Sequence, residues 1–80
     1  MAKEQTHSDA FGVILRSYRL ERGLTQEQLS ERVNVVHSFI CSLENGKKQP
    51  SLQMVLKLAA ALGVRPGELL DAMADRLVGK

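Results

Sequence analysis

The sequence predicts an all-α fold in which five helices form one compact domain. Apolar residues recur every three or four positions in five successive segments, whereas no segment alternates apolar and polar residues as a half-buried strand would. Capping residues, glycines and a proline separate these segments at short intervals. The 80 residues suit a single domain, whose small core buries only about 60–65% of the unfolded surface. We therefore expect a marginally stable monomer that would gain stability from dimerisation.

The first helix follows a polar segment. Residues 1–7 show no apolar periodicity, so we expect them to be disordered and the domain to span residues 8–80. Ser8 or Asp9 is expected to be the N-cap, and Gly23 to end the helix. The apolar stripe that should face the core consists of Phe11, Ile14, Leu15 and Tyr18.

The second helix has two start signals. Thr25 and Gln28 have the spacing of a capping box, in which each side chain bonds the backbone N–H of the other residue. Leu24 and Leu29 have the spacing of a hydrophobic staple, which fixes the angle at which the chain enters the helix. At Asn34 the apolar pattern stops, and asparagine tolerates the left-handed conformation that a tight helix exit needs.

A third helix begins within a few residues of the end of the second helix. The sequence of residues from about 25 to 45 therefore predicts a helix-turn-helix. Ile40 and Leu43 should face inward, with Val35 and Val36 filling the corner between the two helices. Such a unit presents the outer face of its second helix to a partner.

Two further helices complete the domain. Ser51 should cap a fourth helix that ends at Gly63, and Pro66 suits the first turn of a fifth helix of about 66–78. The fourth helix has an apolar face of Leu52, Val55, Leu58, Ala59 and Leu62. In the fifth helix the apolar residues at helical spacing are Leu69, Leu70, Met73, Leu77 and Val78.

Composition excludes several classes of protein. The net charge of +2 and the pI near 9.0 are only weakly basic, so global charge alone is poor support for nucleic-acid binding. The single Cys41 excludes an internal disulfide, and no His/Cys cluster has zinc spacing. We find no combination of residues for catalysis and expect neither an enzyme nor a cofactor. Lacking a membrane-spanning run and a signal peptide, the protein is expected to be cytoplasmic.

The segment LTQEQLSERVNVVHSFICSLENGKKQPSLQMVLKLAAALGV resembles the Cro/cI-type (XRE-family) helix-turn-helix domain of bacterial and phage repressors. The resemblance covers residues 8–70 and implies a lambda-repressor-like fold. Three features depart from the family pattern. Asn34 stands at the usual turn glycine, Val36 replaces the common Ser or Thr cap of the recognition helix, and the reading face lacks the frequent Arg and Gln.

The resemblance implies that the third helix reads DNA. Gln26 would hold a phosphate at the start of the second helix, where free N–H groups and the helix dipole assist; alternatively it is a solvated helix residue. Phe39 is compatible both with partial burial and with apolar contact to a thymine methyl group. The residues expected to project into the major groove are His37, Ser38, Cys41 and Ser42, and those expected to meet phosphates are Asn45, Lys47 and Lys48.

For two of these residues the chemistry can be stated more closely. His37 could reach a guanine acceptor or a phosphate, or else remain in solvent at the start of the helix. Cys41 is read as a small side chain facing DNA, since nothing nearby in sequence is arranged to lower a thiol pKa for a redox switch. The resemblance also implies a partly buried ion pair between Arg19 and Glu44 that ties the first helix to the third.

The leading function is a sequence-specific transcriptional regulator that binds double-stranded DNA at a pseudo-palindromic operator as a homodimer. Phage Cro-like repressors and restriction–modification controllers are of this type. The fifth helix is the expected dimerisation element, through Leu70, Met73, Ala74, Leu77 and Val78. The alternative is an antitoxin or protein-interaction module whose fifth helix docks a toxin or another protein.

Overall fold

The computed structural model describes residues 6–78 and confirms the all-α prediction, with no strand in that range. The five helices are α1 (His7–Glu21), α2 (Gln26–Val33), α3 (His37–Glu44), α4 (Leu52–Leu62) and α5 (Pro66–Leu77). Helix α1 contacts α3 and α5, while α2 contacts α3 and α4, so the helix-turn-helix packs on a frame of three other helices.

Helix α1 begins earlier than its sequence predicts. The N-cap is Thr6, whose hydroxyl accepts a hydrogen bond of 3.0 Å from the backbone N–H of Asp9. The Asp9 side chain accepts in return from the Thr6 N–H, which completes a capping box. Ser8 and Asp9 are therefore not N-caps, because Thr6 makes the pair with Asp9. Of the segment 1–7 predicted to be disordered, residues 1–5 lie outside the described residues, and Thr6 and His7 begin α1.

The start and the end of α2 follow the prediction. The Thr25 hydroxyl accepts from the Gln28 N–H at 3.0 Å, and the Gln28 side chain accepts from the Thr25 N–H at 2.9 Å. Leu24 and Leu29 are both buried in the core. Asn34 ends the helix with φ 60° and ψ 48°, the left-handed conformation that the turn requires.

The core lies where the five helices converge. Its fully buried large side chains are Phe11, Leu15, Leu29, Ile40, Leu43, Leu58 and Leu69. A close approach of two backbones adds to this packing, because Gly12 of α1 lies against the carbonyl oxygens of Leu43 and Glu44 at the end of α3. A side chain at that position would separate the two helices.

Two apolar residues assigned to the core are instead exposed. Val36 is 69% exposed, because it is the extended N-cap residue of α3 and its side chain does not enter the corner that Val35 partly fills. Leu52 is 72% exposed, since as the first residue of α4 it precedes the part of the helix that meets the core. The rest of the predicted α4 face is buried.

The remaining helix boundaries agree with the sequence. Ser51 caps α4 by accepting from the Met54 N–H at 3.0 Å, and Gly63 ends that helix in the left-handed region. Pro66 occupies the first turn of α5. None of the helices in residues 6–78 has the length and apolar character needed to cross a membrane.

Candidate nucleic-acid interface

Helix α3 is anchored on one face and open on the other. Ile40 and Leu43 are fully buried beneath it. His37 and Ser38 are exposed on the outside, and Cys41 and Ser42 are half-buried along the same helix. The exposed part of the helix surface therefore carries small and polar side chains.

The C-terminal end of α3 is tied to α1 by an ion pair between Arg19 and Glu44. Arg19 Nε donates to Glu44 Oε2 at 2.6 Å and Nη2 donates to Oε1 at 3.0 Å, so the pair is bidentate. Both side chains are more than nine-tenths buried. The hydrogen bond to Glu44 raises the pKa of Arg19 above its usual value, against the opposing effect of burial. Arg19 Nη1 also donates to the carbonyl oxygen of Leu24 at 2.8 Å, which fixes the start of the helix-turn-helix.

The N-terminal end of α3 is held differently. Val36 occupies the N-cap position, and none of the described side chains bonds the first N–H groups of the helix. Instead, His37 Nε2 lies 3.0 Å from Gln26 Oε1, and Gln26 Nε2 donates to Glu44 Oε1 at 3.0 Å. Gln26 thus joins the first residue of α3 to its last residue. The sequence does not reveal this connection, because the three residues are far apart in the chain and share no spacing rule.

The predicted phosphate contacts lie in the turn after α3. Asn45, Lys47 and Lys48 are all exposed. Gly46 adopts φ 75°, and the Lys47 N–H donates to the Ser42 carbonyl oxygen at 2.9 Å, so the chain leaves the helix in a defined turn. The two exposed lysines thus follow directly on the C-terminal end of α3.

Two residues of the predicted reading face are less open than their neighbours. Phe39 is half-buried and packs against the core, which agrees with the first of its two predicted roles. Cys41 is half-buried, and Asn45 Nδ2 lies 3.5 Å from its sulfur.

The predicted dimer element is only partly covered by its own domain. Leu70 is 47% exposed, Ala74 and Val78 are exposed, and Met73 and Leu77 are half-buried. Leu70 and Met73 also line a cavity of about 290 Å³, together with Phe11 and Leu52. The exposed Leu52 belongs to the same apolar surface, which the sequence does not predict because it assigns this residue to the core.

No group of His, Cys, Asp and Glu among residues 6–78 is arranged to hold a metal ion.

The sequence model of the helix-turn-helix family matches residues 15–69. The chain belongs to this family. An HTH-type transcriptional regulator of Methanothermobacter thermautotrophicus is 48% identical over 50 residues, which cover 62% of this chain and 72% of the relative. The resemblance to Cro/cI-type regulators is therefore confirmed, and the protein is a transcriptional regulator of the helix-turn-helix family.

Solved structures of other helix-turn-helix proteins have the same fold. The clp gene regulator ClgR of Corynebacterium glutamicum has a TM-score of 0.90 at 30% identity, covering 96% of this chain and 99% of that one. The restriction–modification controller protein C.AhdI of Aeromonas hydrophila has a TM-score of 0.75 at 39% identity, covering 78% of this chain and 94% of that one. The similarity to ClgR extends over nearly the whole chain.

Proposed function

We propose that this helix-turn-helix protein regulates transcription by binding a pseudo-palindromic DNA operator as a homodimer. The observation that carries the proposal is the outer surface of α3, where exposed His37 and Ser38 are followed by exposed Lys47 and Lys48. Polar side chains on a helix can read base edges in the major groove, and lysines beside it can bind the phosphates that border the groove.

The distribution of charge supports this orientation. Lys47 and Lys48 lie at the end of α3, and Arg16 borders a surface depression shared with Gln26 and His37. The exposed acidic residues of α5 are Glu68, Asp71 and Asp75. The depression also includes the exposed carboxylate of Glu27, so the support from charge rests on Lys47 and Lys48 at the end of α3.

Gln26 can take part without losing its role inside the protein. Its amide nitrogen carries two hydrogens, and one of them is used in the bond to Glu44. The second hydrogen remains for a phosphate oxygen. The backbone N–H groups at the start of α2 add a favourable dipole for the same anion.

A homodimer would cover the apolar surface formed by Leu52, Leu70 and Met73, with Ala74, Leu77 and Val78 extending it along α5. A small domain rarely leaves such a surface in water, and a two-fold interface would bury it on both copies. Two copies of α3 would then enter successive major grooves about 34–36 Å apart. DNA in a bacterial or archaeal cell lies in the cytoplasm, which is the location this function requires.

The direct test is selection of bound sequences from a random DNA pool, followed by fluorescence anisotropy with the selected duplex and a shuffled duplex. We expect an inverted repeat and a clear preference for the selected duplex. Equal affinity for both duplexes at all salt concentrations would contradict sequence-specific binding. Sedimentation equilibrium of the free protein and of the complex gives the number of chains on each duplex.

The alternative function is that of an antitoxin or protein-interaction module, favoured by the apolar cavity beside Leu52 and Leu70. It predicts that a second protein binds α4 and α5 while the isolated chain has little affinity for DNA. Selection of a specific duplex by the purified chain would decide against it. Association with the product of a neighbouring gene, together with no selected sequence, would support it.

A further inference from the structure

The side chains that connect α1, α2 and α3 form one chain of hydrogen bonds with a defined direction. Arg19 donates one hydrogen bond to each side-chain oxygen of Glu44, so both oxygens of this carboxylate accept. A carboxylate has no proton to donate. Every further group that bonds Glu44 must therefore be a donor.

Gln26 meets this requirement through its amide nitrogen. Its Nε2 lies 3.0 Å from Glu44 Oε1, which assigns the nitrogen to the Glu44 side and leaves Oε1 directed to His37. An amide oxygen only accepts. His37 Nε2, at 3.0 Å from that oxygen, must consequently carry the proton of this hydrogen bond.

In the neutral imidazole of His37, this hydrogen bond selects one tautomer. A neutral imidazole has one N–H and one unprotonated nitrogen, and the proton on Nε2 leaves Nδ1 as an acceptor. The hydrogen bonds found among residues 6–78 do not include one to Nδ1. His37 is exposed at the first position of α3, so a ligand can reach its side chain.

We propose that His37 is a specificity-determining residue that reads an exocyclic amino group of a base, adenine N6 or cytosine N4, through Nδ1. This inference rests on the proposed function, because it concerns the base that the proposed recognition helix prefers. Both amino groups are donors in the major groove, whereas guanine offers only acceptors there and thymine offers an acceptor and a methyl group. The sequence position of His37 alone would also allow contact with the guanine acceptors. When neutral His37 carries its proton on Nε2, however, Nδ1 has no proton to donate to them.

The tautomer is tested without DNA. The uniformly ¹⁵N-labelled full chain is studied at roughly pH 8, where an ordinary imidazole is neutral, by long-range ¹H–¹⁵N correlation of the ring nitrogens. The His7→Gln variant removes the only other imidazole of the sequence and assigns the signals. We expect a protonated Nε2 and an unprotonated Nδ1 in His37. In Gln26→Ala the ¹⁵N chemical shifts of the two ring nitrogens should move towards the average values of an imidazole that exchanges freely between its tautomers.

The base preference is tested with one variant that keeps an acceptor near Nδ1 and one that has none. Asparagine places an oxygen near the position of Nδ1, whereas alanine has no polar group. His37→Asn should therefore keep the preference for adenine or cytosine at one operator position, and His37→Ala should lose it. Replacing the preferred base by purine or 2-pyrimidinone, which lack the amino group, should weaken wild-type binding about tenfold. The same replacement should leave the affinity of His37→Ala unchanged.

Each result separates this inference from the function on which it rests. A protonated Nδ1 in free His37, or an unchanged tautomer in Gln26→Ala, would overturn the inference whatever the DNA data show. A specific operator whose affinity does not depend on the exocyclic amino group would also overturn it while the proposed function stands. Failure to select any operator would remove the proposed function, and the base preference with it, even where the predicted tautomer is observed.

Discussion

The backbone of Gly12 in α1 lies directly against the carbonyl oxygen of Glu44 at the end of α3. A methyl group on Gly12 would lie 2.5 Å from that oxygen and 2.5 Å from the carbonyl oxygen of Leu43. These atoms belong to the backbone of α3, so they cannot rotate away as a side chain would. The two helices are close because position 12 has no side chain.

Gly12→Ala should therefore destabilise the protein although alanine is the better helix former. The helices must separate, and overpacking of this kind costs about 1–3 kcal/mol of unfolding free energy. Urea denaturation followed by circular dichroism measures the change. Gly67→Ala is the matched control, because Gly67 also lies in a helix and has open space around the position of a methyl group. Equal effects of the two substitutions would disprove the steric explanation.

The Arg19–Glu44 pair provides a second prediction. Arg19→Met removes the partner of a buried carboxylate and should cost about 3–5 kcal/mol of unfolding free energy. Arg19→Met combined with Glu44→Met should recover part of the loss, since no charge is then buried alone. An osmolyte such as trimethylamine N-oxide allows measurement where the single variant is unfolded in buffer.

The exposed pair of Arg22 and Glu21, at 3.2 Å, is the control for this experiment. Glu21→Ala should change the unfolding free energy by less than about 1 kcal/mol, because water screens the interaction. If Arg19→Met behaved like Glu21→Ala, the buried pair would have no special structural role.

DNA affinity should decrease steeply with salt, because lysines at phosphates release condensed counterions. Lys47→Ala should weaken binding to all duplexes similarly and reduce the slope of log K against log salt by about one. Lys57→Ala, which removes an exposed lysine from α4, should leave the slope unchanged. Fluorescence anisotropy titrations at several salt concentrations give both slopes, and a slope that is unaffected by Lys47→Ala would place this residue away from the phosphates.

Ser38 and Ser42 are expected to contribute to base preference. Ser38→Ala and Ser42→Ala should each change relative affinity among operator variants by about 1–3 kcal/mol where the hydroxyl makes a good base contact. Ser38 is exposed, so its substitution should not alter the thermal midpoint. Affinities for all single-base variants of the operator test the predicted change in base preference. Identical rankings before and after substitution would leave Phe39 and DNA shape as the sources of specificity.

The apolar surface on α4 and α5 predicts a dimer that depends on Leu52 and Leu70. Leu52→Asp with Leu70→Asp should convert the dimer to a monomer and weaken operator binding, while helicity is kept because Leu52 is 72% exposed and Leu70 47% exposed. Leu20→Asp, which removes an exposed leucine of α1, is the control and should leave the molecular mass of the dimer in solution unchanged. Sedimentation equilibrium measures the masses, and a native monomer at tens of micromolar would refute the proposed interface.

Local chemistry explains what the sequence could predict. The Thr25–Gln28 capping box, the left-handed Asn34 and the Ser51 cap all depend on residues within three positions of one another or on one residue's own conformation. The Thr6–Asp9 box has the same local form and could have been found by the same rule.

Contacts between distant segments explain what the sequence could not predict. Apolar spacing identifies the face of a helix that packs on the core, but it does not show how far along the helix that face is covered. The pattern therefore assigns Val36 and Leu52 to the core, although both are exposed. The close approach at Gly12 depends on the position of α3, which no pattern in α1 records. The bonds from Gln26 to His37 and Glu44 depend in the same way on how α2 and α3 meet.

The two ends of α3 are secured by different kinds of interaction, and this separates folding from recognition. Buried contacts with Arg19 and Gly12 hold the end of the helix, whereas the beginning carries His37 and Ser38 in the open. Substitutions at those two exposed positions leave the core intact, so they can accumulate without loss of the folded state. The domain can thus acquire a new DNA preference during evolution through a few surface changes, while the same buried frame is inherited unchanged.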